Sequence, residues 1–290
     1  MFIVSANSFR ELEILEQERA DGIILPAGGF SLRQFPFLDG PDLEEVISRL
    51  KKKEIKVYLN VLRMLSEQDL EAASEFLRKA AALGTDGFYA ADEGWIQLAL
   101  EQGLEGKMIY QPETLIVNAM DADFYGDLGL QAVSLAHELS IEEIEAIARN
   151  SHAPLEILVQ GRYSWMYSRR PLVSNYLKAV KKGEQAQSGK AYDLQEATRE
   201  KVMKIMETES GTHVLADEPV QSFSVLRRLA DAGIERFRID SLLEEPEHSS
   251  VQLNLYRNAL QGQMPRESQI CGSDSLYYSQ TVKKKEEANG

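Results

Sequence analysis

The chain has 290 residues, 43% of them hydrophobic and 27% charged, with a formal net charge of -14. This is the composition of a globular chain with one large core. No run approaches the roughly 18 apolar residues of a membrane-spanning helix, and the excess of carboxylates argues against binding nucleic acid over the whole surface, though not against a local basic patch. The only cysteine, Cys271, excludes an intrachain disulfide and cannot by itself hold an iron–sulfur cluster or a structural zinc.

The elements alternate along the chain. Phe2–Ala6 reads as a first strand, followed by an amphipathic helix over Phe9–Glu18. The N-terminal stretch has no basic region and no small-residue cleavage site, so no secretory leader and a cytoplasmic location are expected. Strands follow at Gly22–Leu25, Lys56–Val61, Gly87–Ala91, Met108–Gln111, Ala132–Ala136 and Glu156–Gln160, with His213–Ala216 and Arg236–Ile239 completing the set. Most are short and apolar, as strands buried on both faces should be. Helices are expected over Leu43–Lys53 and from about Glu67 to Leu83. Ser66 and Ser140 stand as start signals, Ser140 with Glu143 at the capping-box spacing, and Gly84 is a stop. Alternating βα units imply a parallel sheet, and about eight of them favour closure into a TIM-barrel-like (β/α) barrel. An open doubly wound sheet is the alternative. The barrel domain is expected over residues 1–262, interrupted by a polar excursion at 178–191, with 263–290 as a partly disordered tail.

Catalytic groups of parallel barrels sit where strands end. Asn60, Asp92, Glu93, Gln111, Glu113, His137, Glu138, Gln160, Arg162 and Asp240 all follow strands here. Such loops also favour these residue types because they cap helices. His137 beside Glu138 reads either as an oriented acid–base pair or as a histidine satisfied by a carbonyl. The window Gln160–Tyr176, QGRYSWMYSRRPLVSNY, interleaves Arg162, Arg169 and Arg170 with Tyr163, Trp165, Tyr167 and Tyr176. Guanidinium groups fork onto phosphates and aromatic faces stack on unpaired bases; alternatively, the rings plug the barrel mouth while the arginines pair with carboxylates.

The same window resembles a phrase of the U32 peptidase family, HGALCxxYSGRCLLSNY, matched here at Gly161, Tyr167, Ser168, Arg170, Leu172, Ser174, Asn175 and Tyr176. HELSIEEIEAI, YQPETLIVNAMDADFYGDLG and GTHVLADEPVQSFSVLRRLADAGIERFRID are also similar to family phrases. The family's two cysteines in the first phrase fall on Ser164 and Pro171, its histidine falls on Gln160, and a second cysteine pair has no counterpart in Leu177–Ala191.

The resemblance implies a 4Fe–4S cluster in members with four cysteines. It therefore implies no cluster in this chain, unless a cysteine-bearing paralogue brings one. It also implies either collagenase-like proteolysis or oxygen-independent hydroxylation of RNA or a ubiquinone precursor, with prephenate associated with the tRNA members as hydroxyl source. The reading adopted is a subunit for 5-hydroxylation of the tRNA wobble uridine, partnered by that paralogue and by tRNA, with no metal of its own. Glu113, His137 and Glu138 are the catalytic candidates. Asn60, Asn118, Arg162, Tyr163, Trp165, Tyr167, Arg169, Arg170 and Asn175 are the substrate or RNA contacts, with Glu113, Asn118 and Arg170 expected to converge. The alternatives are a U32-type peptidase, with Ser164 and His137 as partners, and a non-catalytic barrel scaffold.

Overall fold

Strands form where the apolar runs were expected. The computed structural model describes residues 1–38, 40–180, 185–195 and 201–279. The first six βα units and the strand after them run β1 (Phe2–Ser5), α1 (Phe9–Gln17), β2 (Gly22–Pro26), α2 (Gly40–Lys52), β3 (Lys56–Asn60), α3 (Leu70–Ala82), β4 (Gly87–Ala90), α4 (Glu93–Gln102), β5 (Met108–Tyr110), α5 (Ala119–Asp127), β6 (Ala132–Ser134), α6 (Ile141–Asn150) and β7 (Leu155–Gly161). An excursion follows: β8 (Ser164–Ser168), α7 (Leu172–Val180), β9 (Ala191–Leu194), β10 (Met203–Thr208) and β11 (Gly211–Leu215). The chain then returns through β12 (Val220–Gln221), α8 (Leu226–Asp231), β13 (Arg236–Ile239) and α9 (Pro246–Leu260).

β1 to β7 and β13 form a closed parallel barrel in the order β7-β13-β1-β2-β3-β4-β5-β6, with β6 pairing back onto β7. The pleat sorts side chains between two cores, because successive residues point to opposite faces. Phe2, Val4, Ile23, Leu25, Val57 and Leu59 face the helices. Ile3, Ile24, Tyr58, Tyr89, Ile109 and Ala132 fill the barrel. The predicted start signals hold: Ser140 and Glu143 form a reciprocal capping box on α6, and Ser66 does the same with Asp69 on the 3-10 turn leading into α3.

One expectation is corrected. His213–Ala216 is not a barrel strand: β11 pairs antiparallel with β8 and β10, and β9 completes a separate four-stranded sheet, β8-β11-β10-β9. A short buried strand reads the same in either sheet, and its partner β8 lies more than forty residues away. The polar excursion is therefore the link between α7 and β9, its residues 181–184 lying outside the described part.

Part of the C-terminal stretch packs against the barrel domain. Val220 bridges to Ser273, and Tyr277 is buried with its hydroxyl 2.6 Å from Ser222 Oγ. One ring in the core offsets the ordering of a few residues. Residues 280–290 of the expected tail lie outside the described part. Among the described residues no helix is long and apolar enough to cross a membrane.

Candidate functional site

Polar side chains gather at the C-terminal ends of the barrel strands. Glu113, two residues beyond Gln111 in the loop after β5, is their hub. Its carboxylate pairs with the Arg33 guanidinium, accepts from Gln111 Nε2 at 2.6 Å and lies 3.0 Å from His137 Nε2. Burial alone would raise this carboxyl, but Arg33 and His137 outweigh it and hold Glu113 well below the usual carboxylate range. Both Arg33 (φ 53) and Glu113 (φ 71) sit in the left-handed region, which disfavours side chains with a Cβ. The structure bears that strain where the two charges meet, a common feature of functional sites. An imidazole whose Nε2 faces a carboxylate is fixed in orientation, leaving its other nitrogen as an acid–base position.

A second charged layer lies deeper. Glu156, fully buried in β7, accepts from Tyr89 Oη at 2.6 Å and sits 3.4 Å from Arg236 and 3.3 Å from Arg238. The Arg236 guanidinium lies 5.3 Å from the Tyr58 ring centre.

Strand β8 roofs the mouth. Its pairing with β11 slips by one residue at Trp165, and Ser164, Trp165, Met166 and Tyr167 all face the mouth. The Tyr163 ring packs 5.2 Å from His137 and 5.0 Å from Trp165, and Tyr167 stacks 4.7 Å from His213 of β11. Between roof and barrel lies a cavity of about 310 Å³, lined among others by Arg33, Met64, Glu113, Trp165, Tyr167 and His213.

The remaining candidates lie elsewhere or have structural partners. Glu138 is exposed and is not part of the Glu113 cluster. Asn60 clamps the loop after β2, donating to Leu32 O at 2.8 Å and accepting from the Leu32 and Leu62 amides. Asn118 caps α5 through the Asp121 amide. Arg162 donates to the Ala216 and Asp217 carbonyls and faces Glu244 at 3.5 Å. Arg169, Arg170 and Asn175 are exposed at the end of β8 and on α7. Of the expected trio, Glu113 alone lines the cavity.

Sequence reasoning missed Arg33, His213 and the Glu156–Arg236–Arg238 layer. The last had a signal: Glu156 is a lone charge in an apolar strand, and Arg236 and Arg238 alternate in RFRI. Arg33 sits in an irregular loop with no pattern to read.

The family model for peptidase family U32 matches residues 7–287. The chain belongs to this family. It is 26% identical over 261 residues to tRNA hydroxylation protein P2 of Bacillus subtilis, covering 89% of this chain and 84% of that protein. It is 24% identical over 275 residues to tRNA hydroxylation protein P of Helicobacter pylori, but spans only 63% of that longer relative. The solved structure of the U32 peptidase Mk0906 shares the fold, with a TM-score of 0.51 at 16% identity, covering 82% of this chain and 91% of that one.

The donor atoms of this U32 chain do not fit an iron–sulfur cluster. The Ser164 hydroxyl donates to Met166 O at 3.3 Å, Pro171 has no donor atom to offer, and burial pushes the Cys271 thiol up, away from thiolate. Neutral oxygen and a single protonated thiol are poor replacements for four thiolates. Among the described residues no three His, Cys, Asp or Glu side chains are placed to hold a metal ion.

Proposed function

We propose that this chain acts in the cytoplasm in 5-hydroxylation of the tRNA wobble uridine, as the subunit without a cluster beside a cysteine-bearing U32 paralogue. The observation that carries the reading is the similarity to tRNA hydroxylation protein P2, which extends over 84% of that protein. The site is compatible with it. Aromatic side chains line the mouth and two exposed arginines follow β8 directly in the chain, residue types that single-stranded RNA contact uses, and the Glu113–His137 pair is suited to moving a proton at the mouth. Prephenate is the proposed hydroxyl source.

The peptidase alternative needs a nucleophile next to a base. Ser164 and His137 have separate partners, the Met166 carbonyl and the Glu113 carboxylate.

The test is the tRNA nucleoside profile of a deletion strain, with any paralogue left intact. We expect 5-hydroxyuridine and its derivatives to fall, and to return on complementation by the wild-type chain but not by His137→Asn. An unchanged profile would overturn the reading.

A further inference from the structure

We infer that the cavity between strand β8 and the barrel mouth is a nucleobase pocket, in which Trp165 supplies the stacking face and His213 reads the base edge. This rests on the proposal that RNA is the substrate, and it assigns the cavity to the base rather than to the hydroxyl donor.

Three features of the cavity support the assignment. His213 lines it, is 1% exposed, and has no hydrogen-bond partner on either ring nitrogen among the described residues. A buried polar group without a partner is costly unless something fills the position. The imidazole is held on one face by Tyr167, whose hydroxyl donates to Ser210 O at 2.5 Å, so the orientation of its ring nitrogens is fixed. Trp165 is 45% exposed at the cavity rim, backed edge-on by Tyr163, which leaves indole surface for a planar partner.

Charge then selects the ligand class. Among the described residues, Arg33 and Glu113 are the only ionised side chains on the cavity wall, and they neutralise each other. Burial first, and Arg33 second, push His213 down to about 3, so it is neutral at physiological pH. The wall therefore offers no net positive charge to a dicarboxylate. It offers instead an aromatic face and a neutral ring able to donate or accept one hydrogen bond. A neutral planar heterocycle with C=O and N–H groups on its edge, such as uracil, fits that description. The volume, about 310 Å³, is at the small end of ligand sites.

Tryptophan fluorescence of the full chain tests this. Trp95 is fully buried and serves as the internal reference, whereas Trp165 is exposed. The probes are a short single-stranded RNA with one central uridine, the same strand with an abasic central nucleotide, and prephenate. We expect the uridine strand to quench saturably, the abasic strand to bind at least tenfold more weakly, and prephenate not to displace the uridine strand. Trp165→Phe should abolish the quench, and His213→Leu should weaken binding by roughly tenfold, about one lost hydrogen bond. If His213→Leu does not fold, the Trp165→Phe and abasic arms still decide.

Equal binding of uridine and abasic strands, displacement by prephenate, or no binding of either strand would each overturn the assignment. The deletion strain reports separately. A base-dependent quench with an unchanged nucleoside profile would keep the pocket and discard the hydroxylation reading. A changed profile with no base-dependent quench would do the reverse.

Discussion

Glu113 shows how much one carboxylate can organise. It joins Arg33 from the loop after β2 to His137 from the loop after β6, across the barrel mouth. The Arg33 side chain is 7% exposed and that of Glu113 15%, so removing one charge strands the other in a largely buried place. Glu113→Gln should therefore destabilise the fold by about 3 kcal/mol, the lower end of the cost of breaking a buried pair, read from urea unfolding at pH 7. The pH dependence has a definite sign. Glu113 is held well below its ordinary 4.5, so its contribution is complete above 4.5 and is lost as pH falls through the depressed folded value. The difference between wild type and Glu113→Gln should shrink steadily below pH 4.5; a constant difference would show that the charge is not what matters. Glu113 and His137 could be found from the sequence because each directly follows a strand. Arg33 could not, since it reaches the site through a left-handed turn in an irregular segment that leaves no periodic trace.

At the scale of elements, local chemistry was readable and distant pairing was not. Ser140 and Glu143 cap α6 through contacts three residues apart, so the signal lies within the sequence itself. Strand β11 ends in a short apolar run that starts at Val214, but its place depends on β8, and nothing in so few residues says whether such a strand lines a barrel or roofs it. The roof depends on a close turn at Gly211. Its φ is 131, and an added Cβ would lie 2.2 Å from Ser168 O. Gly211→Ala must therefore move backbone as well as adopt a strained dihedral, at a cost of about 2 kcal/mol or more. Because the barrel closes without β11, we expect hydrogen exchange to rise in β8, β10 and β11 while protection in β1 to β4 is retained. Uniform loss of protection would show that the two sheets unfold as one unit.

For the whole molecule, strand–helix alternation was enough to give the barrel, because each βα unit repeats the same burial pattern. Where the RNA of the proposed function would lie on an acidic protein is a question of charge distribution, and salt dependence addresses it. A chain with a net charge of -14 repels a polyanion except where cations are concentrated. Of the three arginines in the aromatic window, Arg162 is tied to the Ala216 and Asp217 carbonyls and to Glu244. Arg169 and Arg170 are exposed just after β8 and are the two we propose for phosphates. Each phosphate neutralised on a single strand contributes about 0.7 to the slope of log affinity against log salt. Replacing both by alanine should therefore flatten that slope by about 1.4 while leaving the preference for the uridine strand over the abasic one intact, since phosphate contacts position the strand and base contacts specify it. An unchanged slope would move the RNA backbone to another face. Loss of the base preference along with the slope would mean that the arginines order the roof itself, making β8 a structural element as well as a binding one.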